Sequence, residues 1–113
     1  MTVVCDKGEI AIVPFPFTDL AKAKTRPALA LSVGASNQAN GQTVFAMITT
    51  AVHSRWPSDV LLSDLATCGL GRPSVVRFKL FTLDNRLIVR RIGALGEKDR
   101  RAVQQILRHL LAL

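Results

Sequence analysis

Residues 27–54 contain no Asp, Glu, Lys or Arg, and this uncharged stretch constrains the fold more than any other part of the sequence. Its ends are apolar, PALALSV (27–33) and TVFAMITT (43–50), whereas its middle is polar and contains two glycines. Because such a middle cannot cross a bilayer, the stretch predicts two strands joined by a turn-rich connection over 34–42. TVFAMITT is apolar on both faces, which predicts a central strand buried on both sides.

The rest of the chain predicts one mainly β domain, spanning 1–113, that ends in a helix. GEIAIVPF (8–15) is rich in β-branched residues and predicts the first strand, and a loop follows over 15–26. From Asp99 onward, apolar residues repeat at helical spacing, and Gly96 is the expected N-cap. Regular strand spacing favours a small barrel, whose opening or interface the helix would cover. Further short strands are predicted at 59–62, 74–77, 80–83 and 87–92.

The charge of the chain indicates a polyanionic partner. Basic residues outnumber acidic ones 15 to 8, giving a net charge of +7. Nucleic acid is the first candidate, a membrane surface the second, and a basic protein without a specific partner is the third reading. Cys5 and Cys68 are far apart and have no histidine at ligand spacing, so we expect reduced thiols in a cytoplasmic protein, with no metal and no cofactor. The N-terminus shows no signal-peptide pattern.

Arg26 is the most informative charged residue. A residue before proline is held in extended backbone, so Arg26 has a fixed direction at the start of the second strand. Side chains alternate along a strand, which places Arg26 with Ala28 and Ala30 on a face of small side chains that leaves room for a ligand or another chain. A guanidinium in that position suits bidentate contact with a phosphate. The alternative is an ordinary surface arginine at a strand end.

Thr49 and Arg77 also end predicted strands. The Thr49 hydroxyl would donate to a phosphate oxygen, although threonine is common in strands for packing reasons alone. Arg77 closes PSVVR with the same ambiguity as Arg26. An unperturbed histidine titrates near neutrality, so His53 is a candidate acid or base, or simply a polar loop residue.

The segments beside these strand ends supply candidates for RNA binding. Trp56, the one tryptophan, is either a base-stacking platform or a local packing residue. Lys22, Lys24 and Arg55 are either backbone contacts or solvated surface residues. P-loop, GxGxxG and GxSxG motifs are absent from the sequence.

In their order, these segments resemble the MazF/PemK family of toxins from type II toxin–antitoxin systems. The resemblance covers nearly the whole chain, and each motif alone is modest. The matching stretches are GEIAIVPFPFTD (8–19), TRPALALS (25–32), AMITT (46–50), SDVLL (58–62), GLGRPSVVRFKLFTLD (69–84) and LIVRRIGALGEKDRRAV (87–103).

The resemblance implies an SH3-like β-barrel with a C-terminal helix, assembled as a homodimer. Family members are typically metal-independent endoribonucleases that cut single-stranded RNA through attack of its own 2′-hydroxyl, and a cognate antitoxin inhibits them. The family's catalytic arginine and threonine correspond to Arg26 and Thr49. Arg77 matches an arginine that acts with a carboxylate in some members, but Phe78 and Lys79 stand where that acid is expected.

Two rival functions remain open at this point. Toxins of the same barrel class poison DNA gyrase without cutting RNA, because fold does not fix function. A plain RNA-binding module driven by the positive charge is the other rival.

Overall fold

A computed structural model describes residues 2–16, 24–52 and 55–112 of the chain. The elements follow in the order β1 (Glu9–Pro14), β2 (Thr25–Ala30), α1 (Gly34–Asn40), β3 (Gln42–Thr50), β4 (Val60–Leu61), α2 (Leu65–Cys68), β5 (Ser74–Asp84), a 3-10 turn (Asn85–Leu87), β6 (Arg90–Ala94) and α3 (Glu97–Leu111).

The strands form one antiparallel sheet in the order β4-β5-β3-β2-β1-β6. The sheet curls into a half-barrel, which confirms the predicted mainly β, SH3-like fold class with its C-terminal helix. β3 lies inside the sheet between β2 and β5, as its two apolar faces predict. Within the described residues, no helix is long and apolar enough to span a membrane.

The connection between β2 and β3 is a helix, α1, and the prediction of a turn-rich loop over 34–42 is wrong. The amide group of Asn37, fully buried, donates to the carbonyl oxygens of Cys5 (2.8 Å) and Ser32 (3.0 Å). Gly41 then ends the helix in the left-handed conformation, with its N–H bonded to the Asn37 carbonyl. The polar residues of this segment therefore form a hydrogen-bonded helix, which their composition alone does not indicate.

Two hydrophobic cores lie on opposite faces of the sheet. One includes Ile10, Leu29 and Ala46 and is covered by α3. The other includes Ala28, Ala30 and three aromatic side chains, Phe15, Phe45 and Phe81. Phe81 packs edge-on against Phe15 and in a stacked arrangement with Phe45, each at 5.7 Å between ring centres. The room predicted beside the two alanines is therefore filled by the second core.

A bulge interrupts the pairing of β3 with β5. Ala46 is opposite Leu80, but Met47, the next residue, is opposite Arg77. Phe78 and Lys79 are thus extra residues on β5, and they separate the two short strands that the sequence predicts at 74–77 and 80–83. Because two residues are inserted, the alternation of faces is kept across the bulge.

The strand predicted at 87–92 is displaced toward the C-terminus. Asn85–Leu87 form a 3-10 turn in which the Asp84 carboxylate accepts from the backbone N–H of Arg86, and β6 begins only at Arg90. The buried Asn85 side chain donates to the Asn37 carbonyl at 2.8 Å and accepts from the Thr43 hydroxyl at 2.7 Å. These tertiary bonds hold the turn in place.

α3 begins after Gly96, the predicted N-cap, and packs the predicted apolar stripe on the first core through Val103 and its neighbours. Asp99 is buried, and its carboxylate accepts from the backbone N–H and hydroxyl of Ser63 and from the Asp64 N–H at 2.8–3.1 Å. The start of α3 is thereby fixed to the segment that follows β4.

α2 ends against β6 at a close backbone approach. Gly69 adopts a left-handed conformation (φ +74°), and a Cβ at this position would lie 2.0 Å from the Ile92 carbonyl oxygen. A Cβ on Gly93 would lie 2.4 Å from the Cys68 carbonyl carbon. Only glycine fits at either position, so the two elements are in direct backbone contact.

Candidate active site

Arg26 lies in β2 directly before Pro27 and opposite Val13 of β1. Its side chain is exposed, and its guanidinium carbon is 5.8 Å from the centre of the Phe15 ring, a cation–π contact. Across residues 2–16, 24–52 and 55–112, no carboxylate forms an ion pair with Arg26. The guanidinium therefore lies near an aromatic ring on an exposed side chain, without an ion pair to a carboxylate of the described residues.

Arg26 and Thr49 share one face of the sheet. β2 and β3 pair with Ala28 opposite Met47, and continuing this register by two residues places Arg26 opposite Thr49. Ala28 and Met47 both contribute to the second core, so alternation puts Arg26 and Thr49 on that same face. The observed pairing of the two strands ends at Ala28 and Met47, so both side chains lie just beyond the last paired residues.

The Thr49 side chain is half-buried beside β5, where Thr49 is opposite Val75. In the described ranges, its hydroxyl has no hydrogen-bond partner. A hydroxyl has one donor and two acceptor sites, so this group retains full capacity for an oxygen of a bound phosphate.

Arg77 occupies a different environment from Arg26, because it is paired with Asp59. Arg77 Nε donates to Asp59 Oδ1 at 3.1 Å, and Arg77 Nη2 donates to Asp59 Oδ2 at 2.8 Å. The side chains are 11% and 4% exposed. The register of β4 with β5, in which Val60 is opposite Val76, places Asp59 opposite Arg77 when it is continued by one residue.

The ion pair favours the charged state of both groups. Burial acts to raise the pKa of Asp59, but the hydrogen bonds from Arg77 and from the Trp56 backbone N–H outweigh it, so the pKa lies below its ordinary value. The hydrogen bond to Asp59 raises the pKa of Arg77 further above neutrality. Neither residue is therefore suited to exchange a proton at neutral pH.

Trp56 is stacked on the Arg77 guanidinium, with 5.2 Å between Cζ and the ring centre. Its backbone N–H donates to Asp59 Oδ2 at 3.0 Å, and its carbonyl accepts from the Asp59 N–H at 3.0 Å. Trp56 remains 41% exposed. The sequence allows Trp56 to be either a base-stacking platform or a packing residue. In the structure its ring packs against Arg77 and still has an exposed surface.

The Arg77 pair lies beside the Arg26 and Thr49 pair on the same face. Arg77 is opposite Met47, so Thr49 is its diagonal neighbour across β3 and β5. Diagonal neighbours in an antiparallel pair are about 7–8 Å apart. The two arginines therefore flank Thr49. Arg26 has no ion pair with a carboxylate of the described residues, whereas the charge of Arg77 is neutralised by Asp59.

The remaining predicted contact residues are placed only in part. Lys24 and Arg55 are exposed, and Arg55 contributes to the lowered pKa of Asp59. Lys22 and His53 lie outside the described residues. In the described part of the chain, no group of three His, Cys, Asp or Glu side chains is arranged to hold a metal ion.

This arrangement suits stabilisation of an anion better than proton transfer. A guanidinium and a hydroxyl on one face are preorganised donors for developing negative charge, a large contribution to catalysis in many enzymes. A guanidinium has five N–H donors and no acceptor, so the chemistry open to Arg26 is donation of hydrogen bonds to an anion.

Asp59 is the site residue that the sequence analysis did not identify. It was assigned only to the start of a short strand, although Phe78 and Lys79 already indicated that Arg77 had no acid next to it in sequence. The available signal is an acid at the start of the predicted strand 59–62. Strand order within the sheet was needed to use that signal, and the sequence does not provide it.

Comparison with known protein families identifies one match. The profile of a family described as PemK-like, MazF-like toxin of type II toxin–antitoxin system matches residues 6–111. A comparison with curated protein sequences gives no match.

Several solved structures are similar to this chain. MazF in a MazE–MazF crystal structure from Deinococcus radiodurans is 24% identical, with a TM-score of 0.77 over 98% of this chain and 99% of that one. The Mycobacterium tuberculosis toxin MazF-mt6 is 25% identical, with a TM-score of 0.72 over 93% and 97%. An endoribonuclease in complex with its cognate antitoxin, from a mycobacterial species, is 16% identical, with a TM-score of 0.74 over 97% and 95%.

The family profile covers nearly the whole chain, from residue 6 to residue 111. The chain belongs to the PemK-like, MazF-like toxin family of type II toxin–antitoxin systems.

Proposed function

We propose that this toxin is a metal-independent endoribonuclease that cleaves single-stranded RNA by attack of the substrate's 2′-hydroxyl. The observation that carries the proposal is that Arg26 and Thr49 lie on the face of the second core, each two residues beyond the last paired residues of β2 and β3, Ala28 and Met47. The mycobacterial relative that is described as an endoribonuclease supports the same class of reaction.

Attack of a 2′-hydroxyl on the adjacent phosphorus builds negative charge on the phosphate oxygens in the transition state. Arg26 donates N–H groups to these oxygens, and the Thr49 hydroxyl donates to the same phosphate. The guanidinium already lies 5.8 Å from the centre of the Phe15 ring, and donors that are positioned before the charge develops need less reorganisation. The 5′-oxygen leaves, and a 2′,3′-cyclic phosphate forms.

Proton transfer in this reaction involves groups other than Arg26. The attacking hydroxyl loses a proton and the leaving oxygen gains one. Water, a neighbouring substrate phosphate and His53 are the available carriers, while Arg77 is excluded by its ion pair with Asp59. Lys24, Lys22 and Arg55 then contact the RNA backbone.

The proposal extends to partners. Two of the similar solved structures contain a toxin with its antitoxin, and the net charge of +7 favours an antitoxin that presents an acidic segment to the RNA-binding face. We propose a cytoplasmic homodimer as the active form. Sedimentation equilibrium at micromolar concentration tests the dimer, and a single species of 12.3 kDa would contradict it.

The test is incubation of the purified protein with RNA in EDTA, followed by analysis of the new ends. We expect 5′-hydroxyl and cyclic-phosphate ends from the wild type and strong loss of cleavage in Arg26→Ala and Thr49→Ala. Arg108→Ala removes an exposed arginine from the last turn of α3 and serves as the charge-matched control.

Other outcomes identify the rival functions. Normal rates in both variants would remove Arg26 and Thr49 from the mechanism. Tight binding of intact RNA would identify a binding module. Intact RNA together with inhibition of gyrase supercoiling would identify a gyrase poison.

A further inference from the structure

The cleavage chemistry does not explain why an exposed tryptophan is attached to a largely buried ion pair. The residues concerned are Trp56, Arg77 and Asp59. An ion pair with side chains 11% and 4% exposed carries an indole ring that is 41% exposed. Packing alone does not account for this arrangement, because an indole ring that serves only as core packing is expected to be buried.

The ring is fixed from two directions. The guanidinium lies against the ring at 5.2 Å from its centre. Asp59 holds both parts, since its Oδ2 accepts from Arg77 Nη2 at 2.8 Å and from the Trp56 backbone N–H at 3.0 Å. A single carboxylate therefore sets the position of the cation and of the residue stacked upon it.

We propose that the Trp56 platform (Trp56, Arg77 and Asp59) stacks one unpaired nucleobase of the RNA next to the scissile phosphate, with Asp59 as its positioning residue. The inference rests on the proposed function for its substrate. It assigns to the Arg77 pair a role in base recognition in place of a role in proton transfer.

The location and chemistry of the platform fit this ligand. Arg77 is the diagonal neighbour of Thr49, so a base on the platform lies beside the phosphate that Arg26 and Thr49 bind. Aromatic rings bind single-stranded nucleic acid by stacking on bases, and arginine adds a cation–π contribution. Because Asp59 neutralises Arg77, the platform attracts the face of a base more strongly than it attracts a further phosphate.

The first experiment uses the one tryptophan of the chain as its probe. The ligand is random-sequence 2′-O-methyl RNA, which cannot be cleaved because its 2′-hydroxyls are blocked. Binding is measured in a parallel sample from the fluorescence anisotropy of a far-red label on the RNA. We expect Trp56 fluorescence to be quenched in proportion to binding. Binding without quenching would overturn the proposal, and so would the absence of binding.

The second experiment separates recognition from chemistry by sequencing the cut ends of a random RNA pool. Trp56→Ala should weaken binding about tenfold, within the range of base–aromatic stacking, and flatten the preference at one position beside the cut. Trp56→Phe should largely restore both. Val52→Ala alters an 80% exposed residue four positions before Trp56 in sequence and is the control. An unchanged preference in Trp56→Ala would overturn the proposal.

Asp59→Asn tests the positioning role. We expect lower fluorescence anisotropy of Trp56 in the free protein and the same flattened position in the cut-site profile, while an unchanged ring signal would overturn this role. If this variant does not fold, the two Trp56 variants still decide the platform. Quenching of Trp56 without any RNA cleavage would refute the proposed nuclease activity but support the base-stacking platform. Cleavage without quenching would support the nuclease activity and refute the platform.

Discussion

Asp59 and Arg77 bind each other through two hydrogen bonds, of 3.1 and 2.8 Å, although 18 residues separate them in sequence and α2 lies between them. The pair joins the short β4 to β5 and is almost fully withdrawn from water.

Asp59→Asn should lower the free energy of unfolding by about 1–3 kcal/mol, because it removes the charge from a part-buried ion pair with two hydrogen bonds. Urea denaturation measures the change. The control is Glu97→Gln, which breaks the exposed pair of Arg101 and Glu97 on α3 and should cost less than about 0.5 kcal/mol. Equal effects of the two variants would contradict this account.

The stability of the protein should decrease in acid partly through Asp59. Its pKa in the folded state lies below the unfolded value of about 3.9. The stabilisation is therefore present above that unfolded value and is lost from about pH 5 downward, as the pH falls through the folded-state pKa. Urea denaturation from pH 7 to pH 3 should show a smaller acid dependence in Asp59→Asn than in the wild type, and identical slopes would refute the assignment.

Arg26→Ala and Thr49→Ala should each reduce kcat by about 10²–10³, the usual effect of removing one preorganised donor. Arg26→Lys keeps the charge but loses the forked geometry, so we expect a rate between those of the wild type and Arg26→Ala. Initial rates on a fluorogenic RNA measure these effects. Full activity of Arg26→Lys would show that charge alone suffices.

Gly69→Ala should destabilise the fold by about 1–3 kcal/mol through backbone strain, and its clash with the Ile92 carbonyl oxygen adds to that cost. Thermal unfolding followed by circular dichroism measures the loss. Gly71→Ala is a matched control two residues further on, where an added Cβ meets nothing within 4 Å. A Tm that is the same in both variants would argue against the close approach of α2 and β6.

Cys5 and Cys68 should be unreactive toward thiol reagents in the folded protein. Burial, with Glu9, raises the pKa of Cys5 to about 11, and burial, with Asp99, raises the pKa of Cys68 to about 11. The thiolate is the reactive form, so titration at pH 8 should detect no rapidly reacting thiol before denaturant is added and two afterwards. Rapid modification of the native chain would contradict the buried positions.

The strands were predictable where the sequence alternates or is uniformly apolar. β1, β2 and β3 follow from GEIAIVPF and the uncharged stretch, and α3 follows from its apolar repeat. α1 was not predictable in the same way, because its polar residues satisfy hydrogen bonds with distant segments such as Cys5. Local patterns contain no information about partners that are brought together only by the fold.

The candidate site was predictable in part for the same reason. Arg26 stood out through Pro27 and through the family motif, and Thr49 through the end of its strand. Their shared face depends on the register of β2 with β3, and the pairing of Asp59 with Arg77 depends on the order of the sheet. Register and strand order arise from tertiary packing, so the sequence indicated these residues without showing their arrangement.

The two extra residues of β5, Phe78 and Lys79, bear on how this chain tolerates changes in length. Removing both would leave all the remaining side chains of the strand on their present faces. Removing one would exchange the faces of the first core and the second core on one side of the deletion. During evolutionary divergence, insertions and deletions at this point of β5 are therefore expected to involve even numbers of residues. A single-residue deletion here would turn either Arg77 or Phe81 away from its present neighbours.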